Sequence, residues 1–188
     1  MTIAAVFRVT HNGRDITGRD DERPENVPIR AWRTIMKSGY VKAGVYWVEN
    51  YRALRFSKAA RFRYPKVYKR RSQAYFRRHL IDKTLPHDQQ SDAAKAAEAK
   101  HRPLVFTGTL EAFTRQATVK AFQTRVSIQI PVPNYVTKRV RGGRVDMWAE
   151  LTAVNTEEQN KLTAIVSEQV DRATENFLKT RTLPSLQG

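Results

Sequence analysis

Apolar positions recur with a helical period through the first third of the chain. From Pro28 onward, Ile29, Trp32, Met36, Tyr40, Ala43, Trp47, Tyr51 and Leu54 fall three or four residues apart, which traces one helix face for about seven turns. The spacing predicts a long amphipathic helix over 28–54, with Asn26 as its cap and Pro28 in its first turn. Gly39 and Gly44 weaken that helix. A strand fits worse, because alternation would scatter Trp32, Met36, Tyr40 and Ala43 over two faces. Upstream, residues 2–10 alternate loosely and predict a short strand, and His11 to Glu25 is a polar stretch expected to form an exposed loop.

The second half carries a different period. Val126, Ile128, Ile130 and Val132 alternate with Ser127, Gln129 and Pro131, the pattern of a half-buried strand. Pro131 and Pro133 place its end at a sheet edge or stop it. Val119 and Ala121, before Gln123-Thr124, form the preceding strand of a hairpin, and Arg139–Arg144 around Gly142-Gly143 is a basic loop. Thr156 and Gln159 have capping-box spacing, with Glu157 and Glu158 at the positive end of the helix that follows. Leu162, Ile165, Val166, Val170, Ala173 and Phe177 give that helix an apolar stripe, of which Leu162, Ile165, Val166, Val170 and Phe177 are expected to serve assembly. No internal repeat is present. The expected fold is a single α+β domain over 1–188, in which a small antiparallel sheet packs with a long N-terminal-half helix and a C-terminal amphipathic helix.

Charge changes the picture at residues 51–80. That stretch holds eleven Lys and Arg and no acid, out of 34 basic and 18 acidic residues and a net +16 in the whole chain. Seven aromatics are interleaved: Tyr51, Phe56, Phe62, Tyr64, Tyr68, Tyr75 and Phe76. Residues 82–102 then turn polar and rich in Ala, Lys and Gln, with a linker or a short surface helix at 91–100, so 51–100 is expected to be a basic, extended insertion or arm. Residues 146–175 carry seven acids against Lys161 and Arg172, which makes the chain dipolar. Such a cationic excess calls for a polyanion. Lys66, Lys69, Arg70, Arg71, Arg77 and Arg78 are the expected contacts, facing DNA through phosphate charge and aromatic stacking, or an acidic neighbouring surface. No groove-reading motif accompanies them, so sequence specificity is not implied.

Catalysis and cofactors find little support. The chain has no cysteine, which excludes disulfides, thiolate metal sites and a cysteine nucleophile. His11, His79, His87 and His101 lack metal-ligand spacing, no Gly-rich phosphate loop is present, and Asp20-Asp21-Glu22 sits in a polar loop without a shielded pocket. No catalytic residue, cofactor or metal is therefore expected. Residues 1–8 lack the basic segment and apolar core of a signal peptide, and no window reaches the roughly 18 apolar residues of a membrane span; a soluble protein is expected.

The stretch His101-Arg102-Pro103-Leu104-Val105-Phe106-Thr107-Gly108-Thr109-Leu110-Glu111 resembles the Pro-x-x-x-Thr-Gly-x-Leu signature of phage neck and tail-completion proteins (the HK97 gene-ten-like group). Pro103, Thr107, Gly108 and Leu110 carry the match. In that group the signature precedes a β-hairpin, a Tyr-containing strand end and a C-terminal helix; here 117–132, Asn134-Tyr135-Val136 and Leu151-Thr152-Ala153-Val154 follow in the same order. The resemblance covers roughly residues 101–178. It implies a small antiparallel sheet crossed by a long helix and a homo-oligomeric ring between portal or adaptor and tail proteins. The protein would be made in the host cytoplasm, reside in the virion neck near packaged DNA, and have no membrane role. The basic insertion departs from the group and leaves the neck position open. The motif has a local physical use as well: Gly108 permits a turn, and Leu110 and Phe113 are expected to anchor it in the core. The alternative reading is a stand-alone nucleic-acid-binding protein without sequence specificity.

Overall fold

The computed structural model describes residues 23–68, 109–133 and 146–186 throughout, the backbone of 2–7, 10–11 and 14–15, and single positions at 84, 86, 89–90, 92–93, 96 and 136. In chain order the elements are β1 (Thr2–Phe7), β2 (Thr10–His11), β3 (Arg14–Asp15), α1 (Ile29–Tyr46), α2 (Ala60–Arg63), α3 (Thr109–Thr114), β4 (Thr118–Ala121), β5 (Val126–Pro131), α4 (Met147–Thr152) and α5 (Thr156–Thr180). The protein is α+β, with a small antiparallel sheet, a long helix and a C-terminal helix.

The alternation over 126–131 fixes the sheet. Val126, Ile128 and Ile130 are buried while Ser127, Gln129 and Pro131 are half-buried. That strand lies at the centre, in the order β1–β5–β4. β4 and β5 form the expected hairpin, with Thr118 opposite Gln129 and Ala121 opposite Val126. The Phe122 N–H closes its turn on the Arg125 carbonyl at 2.8 Å. β1 pairs on the other side, Thr2 opposite Pro131 and Phe7 opposite Val126. Pro131 thus ends a central strand. The polar stretch after His11 is not wholly loop: Arg14–Asp15 pairs with Thr10–His11.

α1 lies between this sheet and α5, which explains why its two glycines are compatible with an uninterrupted helix. A Cβ on Gly44 would come within 2.6 Å of Val119 Cγ1 and 2.7 Å of Val126 Cγ2, both on the sheet. A Cβ on Gly39 would meet Val170 Cγ2 at 3.0 Å and Val166 Cγ1 at 3.1 Å, both on α5. Five positions separate the glycines, roughly 140° around a helix, so each opens a different side of α1 to close packing. Between them Trp32, Ile35, Met36, Tyr40 and Ala43 fill the core. The predicted stripe is buried from Trp32 to Tyr51, whereas Ile29 at its start is exposed.

The helix termini correct two details. Asn26 does not cap α1. Pro28 holds the cap position in extended geometry without a side-chain hydrogen bond. The approach is instead shaped by Val27 N–H to the Pro24 carbonyl and Arg23 Nη1 to the Val27 carbonyl, both 2.9 Å. α5 is capped by Asn155 rather than Thr156, since the Asn155 side chain accepts from the Glu158 N–H at 2.8 Å. α5 ends at Arg181, which takes the left-handed conformation at φ 59° and donates its N–H to Phe177.

The stripe expected to serve assembly is buried within the chain. Leu162, Ile165, Val166 and Phe177 are buried, and half-buried Val170 packs at Gly39. The face of α5 left outward is polar, with Glu157, Glu168, Asp171 and Glu175 exposed.

Candidate nucleic-acid interface

The basic stretch begins inside the core. After Tyr46 the chain stays helical but widens into a π turn over Trp47–Tyr51, where the Arg52 N–H reaches the Trp47 carbonyl at 3.0 Å, and then tightens to a 3-10 turn over Ala53–Phe56. π turns of this kind often accompany functional sites because they redirect the residues that follow. Here Arg55, not Leu54, is the residue fully buried.

Arg55 is fully satisfied at both terminal nitrogens. Nη1 donates to the Tyr51 carbonyl at 2.7 Å and to Glu158 Oε1 at 3.0 Å. Nη2 donates to Glu158 Oε2 at 2.7 Å and to the Ala153 carbonyl. Both side chains of this ion pair have 0% exposure. The guanidinium lies 4.8 Å from the Trp47 ring centroid and 4.6 Å from that of Tyr64, so its flat faces meet aromatic carbon and its edge meets oxygen. Tyr64 also donates its hydroxyl to Glu158, and the Tyr68 hydroxyl donates to the Arg55 carbonyl at 3.0 Å. Burying two charges is costly unless bidentate geometry and further hydrogen bonds compensate them, and both are present. Of the three Arg55 guanidinium nitrogens, Nε alone has no hydrogen-bond partner.

Nearby ionisation follows from burial. The Tyr64 phenol is pushed up, first by burial and further by its hydrogen bond to Glu158, against the opposing charge of Arg55. Tyr51 is raised by burial, with Tyr46 and Glu158 adding to it. Arg52 is lowered by burial and by the charge of Arg115, with Glu111 opposing.

This cluster joins the start of the basic stretch to the N-terminus of α5. Asn155 Nδ2 donates to the Arg63 carbonyl at 3.4 Å, and Arg63 pairs with exposed Glu157 at 3.1 Å. Arg52 donates to the Thr114 hydroxyl at 3.2 Å on α3. Residues 51–68 therefore form tight turns bound into the core, which corrects the expectation of an extended arm from residue 51. Tyr51, Phe56, Tyr64 and Tyr68 are buried and closed to stacking on bases; Phe62 is 85% exposed.

Of the expected polyanion contacts, Lys66 is exposed, and Lys69, Arg70, Arg71, Arg77 and Arg78 lie outside the described residues. Of the signature, Leu110 is buried as expected, and Pro103, Thr107 and Gly108 lie outside the described residues. Phe113 is exposed rather than an anchor; Thr114 takes the buried place on α3. The loop 139–144 and most of 82–102 also lie outside. Lys58 is exposed, as Lys66 is, and Arg61 is half-buried; within the run of basic residues neither Lys58 nor Arg61 stands out in the sequence. Among the described residues no group of His, Asp or Glu is arranged to hold a metal ion, and no helix is long and apolar enough to cross a membrane.

Compared with known proteins, the chain matches no family model, no curated protein and no solved structure.

Proposed function

We propose that this protein is a non-enzymatic structural subunit of the head–tail neck of a tailed bacteriophage. It is made in the host cytoplasm and forms a homo-oligomeric ring between the portal or adaptor and the tail. The observation that carries the reading is the layered order of elements after the Pro103–Leu110 signature: a β4–β5 hairpin lies under long helix α1, with α5 closing the far side. The buried Arg55–Glu158 pair supports a structural role, because the two side chains are spent on each other and Arg55 on the Tyr51 and Ala153 carbonyls as well. Subunits would meet through the sheet edges β1 and β4 and the polar, acidic face of α5. Ring closure multiplies such contacts, so each can be weak alone.

The exposed lysines Lys58 and Lys66 face DNA in the ring lumen without reading its sequence. They also sustain a second reading, a stand-alone nucleic-acid-binding protein, favoured by exposed Phe62 among them. Light scattering of the purified protein at moderate salt separates the two. A discrete oligomer without DNA is the expected result for a neck subunit. A monomer of 21.7 kDa that gains mass only on adding DNA would transfer the assignment to the binding module.

A further inference from the structure

The turn around α2 leaves one aromatic side chain largely exposed. Ala60 and Tyr64, four positions apart on one side of the turn, are both buried. Phe62 stands between them, roughly 200° around from each, and 85% of it is exposed. The turn cannot rotate to cover it. The Tyr64 hydroxyl is fixed on Glu158, Arg63 is tied to Glu157, and the Arg63 carbonyl receives the Asn155 amide. Backbone bonds from Phe62 and Arg63 N–H to the Ala59 carbonyl, both 3.0 Å, hold the turn itself. A large apolar ring is therefore presented to solvent on a bonded turn, without the stabilisation that burying it would add.

Its surroundings select the partner. Lys58 and Lys66 are exposed four positions before and after it, and half-buried Arg61 adjoins it in the chain. Residues 51–80 contain no acid, and Glu157, contributed by α5, is engaged by Arg63. A lone ring within a cationic rim suits a flat, electron-rich partner carrying regularly spaced negative charge. We propose that Phe62, with Lys58 and Lys66, is a stacking site for an unpaired base of single-stranded nucleic acid, with the two lysines on the adjoining phosphates. A duplex keeps its bases stacked on one another and offers the ring no free face, whereas every unpaired base has one. An anionic lipid surface fits less well, because a single ring flanked by Arg61 and Arg63 buries little apolar area in a bilayer. The inference rests on reading the basic stretch as a nucleic-acid contact and is independent of ring formation.

The test uses the full chain and a fluorescein-labelled oligothymidylate of about a dozen nucleotides, within the site sizes usual for such contacts. Phe62→Ala should weaken binding about tenfold, the scale of one lost base stack, while binding to the corresponding duplex changes far less. Phe62→Trp should retain affinity, and its added emission should be quenched by the oligonucleotide. Lys58→Gln with Lys66→Gln should reduce the slope of log affinity against log salt by about 1.4, or 0.7 for each lost phosphate contact. Single-strand binding by Phe62→Ala equal to the parent's would overturn the proposal. Equal losses on single strand and duplex, or unquenched Trp emission, would do the same. Phe62-dependent binding to phosphatidylserine vesicles in place of the oligonucleotide would reassign the surface to lipid. The scattering mass of each variant is read alongside, so failure of this site and failure of the ring give different results.

Discussion

Removing the Glu158 carboxylate should do more damage than any other single substitution on α5. Glu158→Ala leaves the Arg55 guanidinium at 0% exposure with two of its four hydrogen bonds gone, and deprives the Tyr64 hydroxyl of its acceptor. Water cannot reach the stranded charge without opening the contact between the 47–68 segment and α5. Breaking a buried pair from one side costs about 3–5 kcal/mol, a large part of the roughly 5–15 kcal/mol that stabilises an ordinary domain. At about 2–4 °C per kcal/mol for a chain of this size, the melting temperature should fall by about 6–20 °C. Replacing both partners tests the cause. Arg55→Met with Glu158→Leu removes the charges together and should recover most of the loss, because no ion is left unpaired. Urea unfolding read by tryptophan fluorescence is a suitable assay, as Trp47 stacks on Arg55 and reports the cluster directly. The reasoning fails if Glu158→Ala stays within about 1 kcal/mol of the parent, or if the double variant is as unstable as the two single losses added together.

Three other consequences follow from the same packing. Gly44→Ala should destabilise by about 1–3 kcal/mol through overpacking against Val119 and Val126, despite the better helix propensity of alanine; a gain in urea midpoint would contradict the close approach. Asn155→Ala should cost about 1 kcal/mol as a lost cap, whereas Thr156→Ala should cost much less, a comparison that thermal melts of the two variants can make. Stability should also decline in alkali. The Tyr64 phenol is raised in the fold, so its contribution is complete below the ordinary phenol value of 10.0 and is lost as pH climbs from there toward the higher folded value. Above pH 10 the unfolded chain loses that proton first, giving a slope of up to about 1.4 kcal/mol per pH unit. Tyr64→Phe should flatten the slope, and an unchanged slope would assign the alkaline loss elsewhere.

The sequence displayed its periodic elements well and its polar core poorly. The stripe from Trp32 to Tyr51, the alternation at 126–131 and the α5 stripe were all legible because each buries a regular face. The pairing of β1 with β5 was not, since nothing local ties Thr2 to Pro131. Gly39 and Gly44 looked like weaknesses in a helix, but they are sites where a side chain would collide with a neighbour visible only in three dimensions. The Arg55–Glu158 pair was hidden by its context, as an arginine in a basic run and a glutamate in a first helical turn both read as surface. A signal existed. Arg55 follows Trp47 and Tyr51 at four-residue steps, and Asn155 with Glu158 has the same capping-box spacing as Thr156 with Gln159. In the sequence Phe62 is one aromatic among seven; its isolation follows from the inward placement of Ala60 and Tyr64 on either side of it.

The central claim, a ring subunit of the neck, is tested most directly by mixing the protein with the portal ring of the same phage and measuring the mass of the complex by light scattering without DNA. The expected result is a discrete gain equal to a whole number of 21.7 kDa copies per portal ring, unaffected by nuclease. A portal whose mass does not change, while the same preparation binds DNA, would contradict the neck assignment.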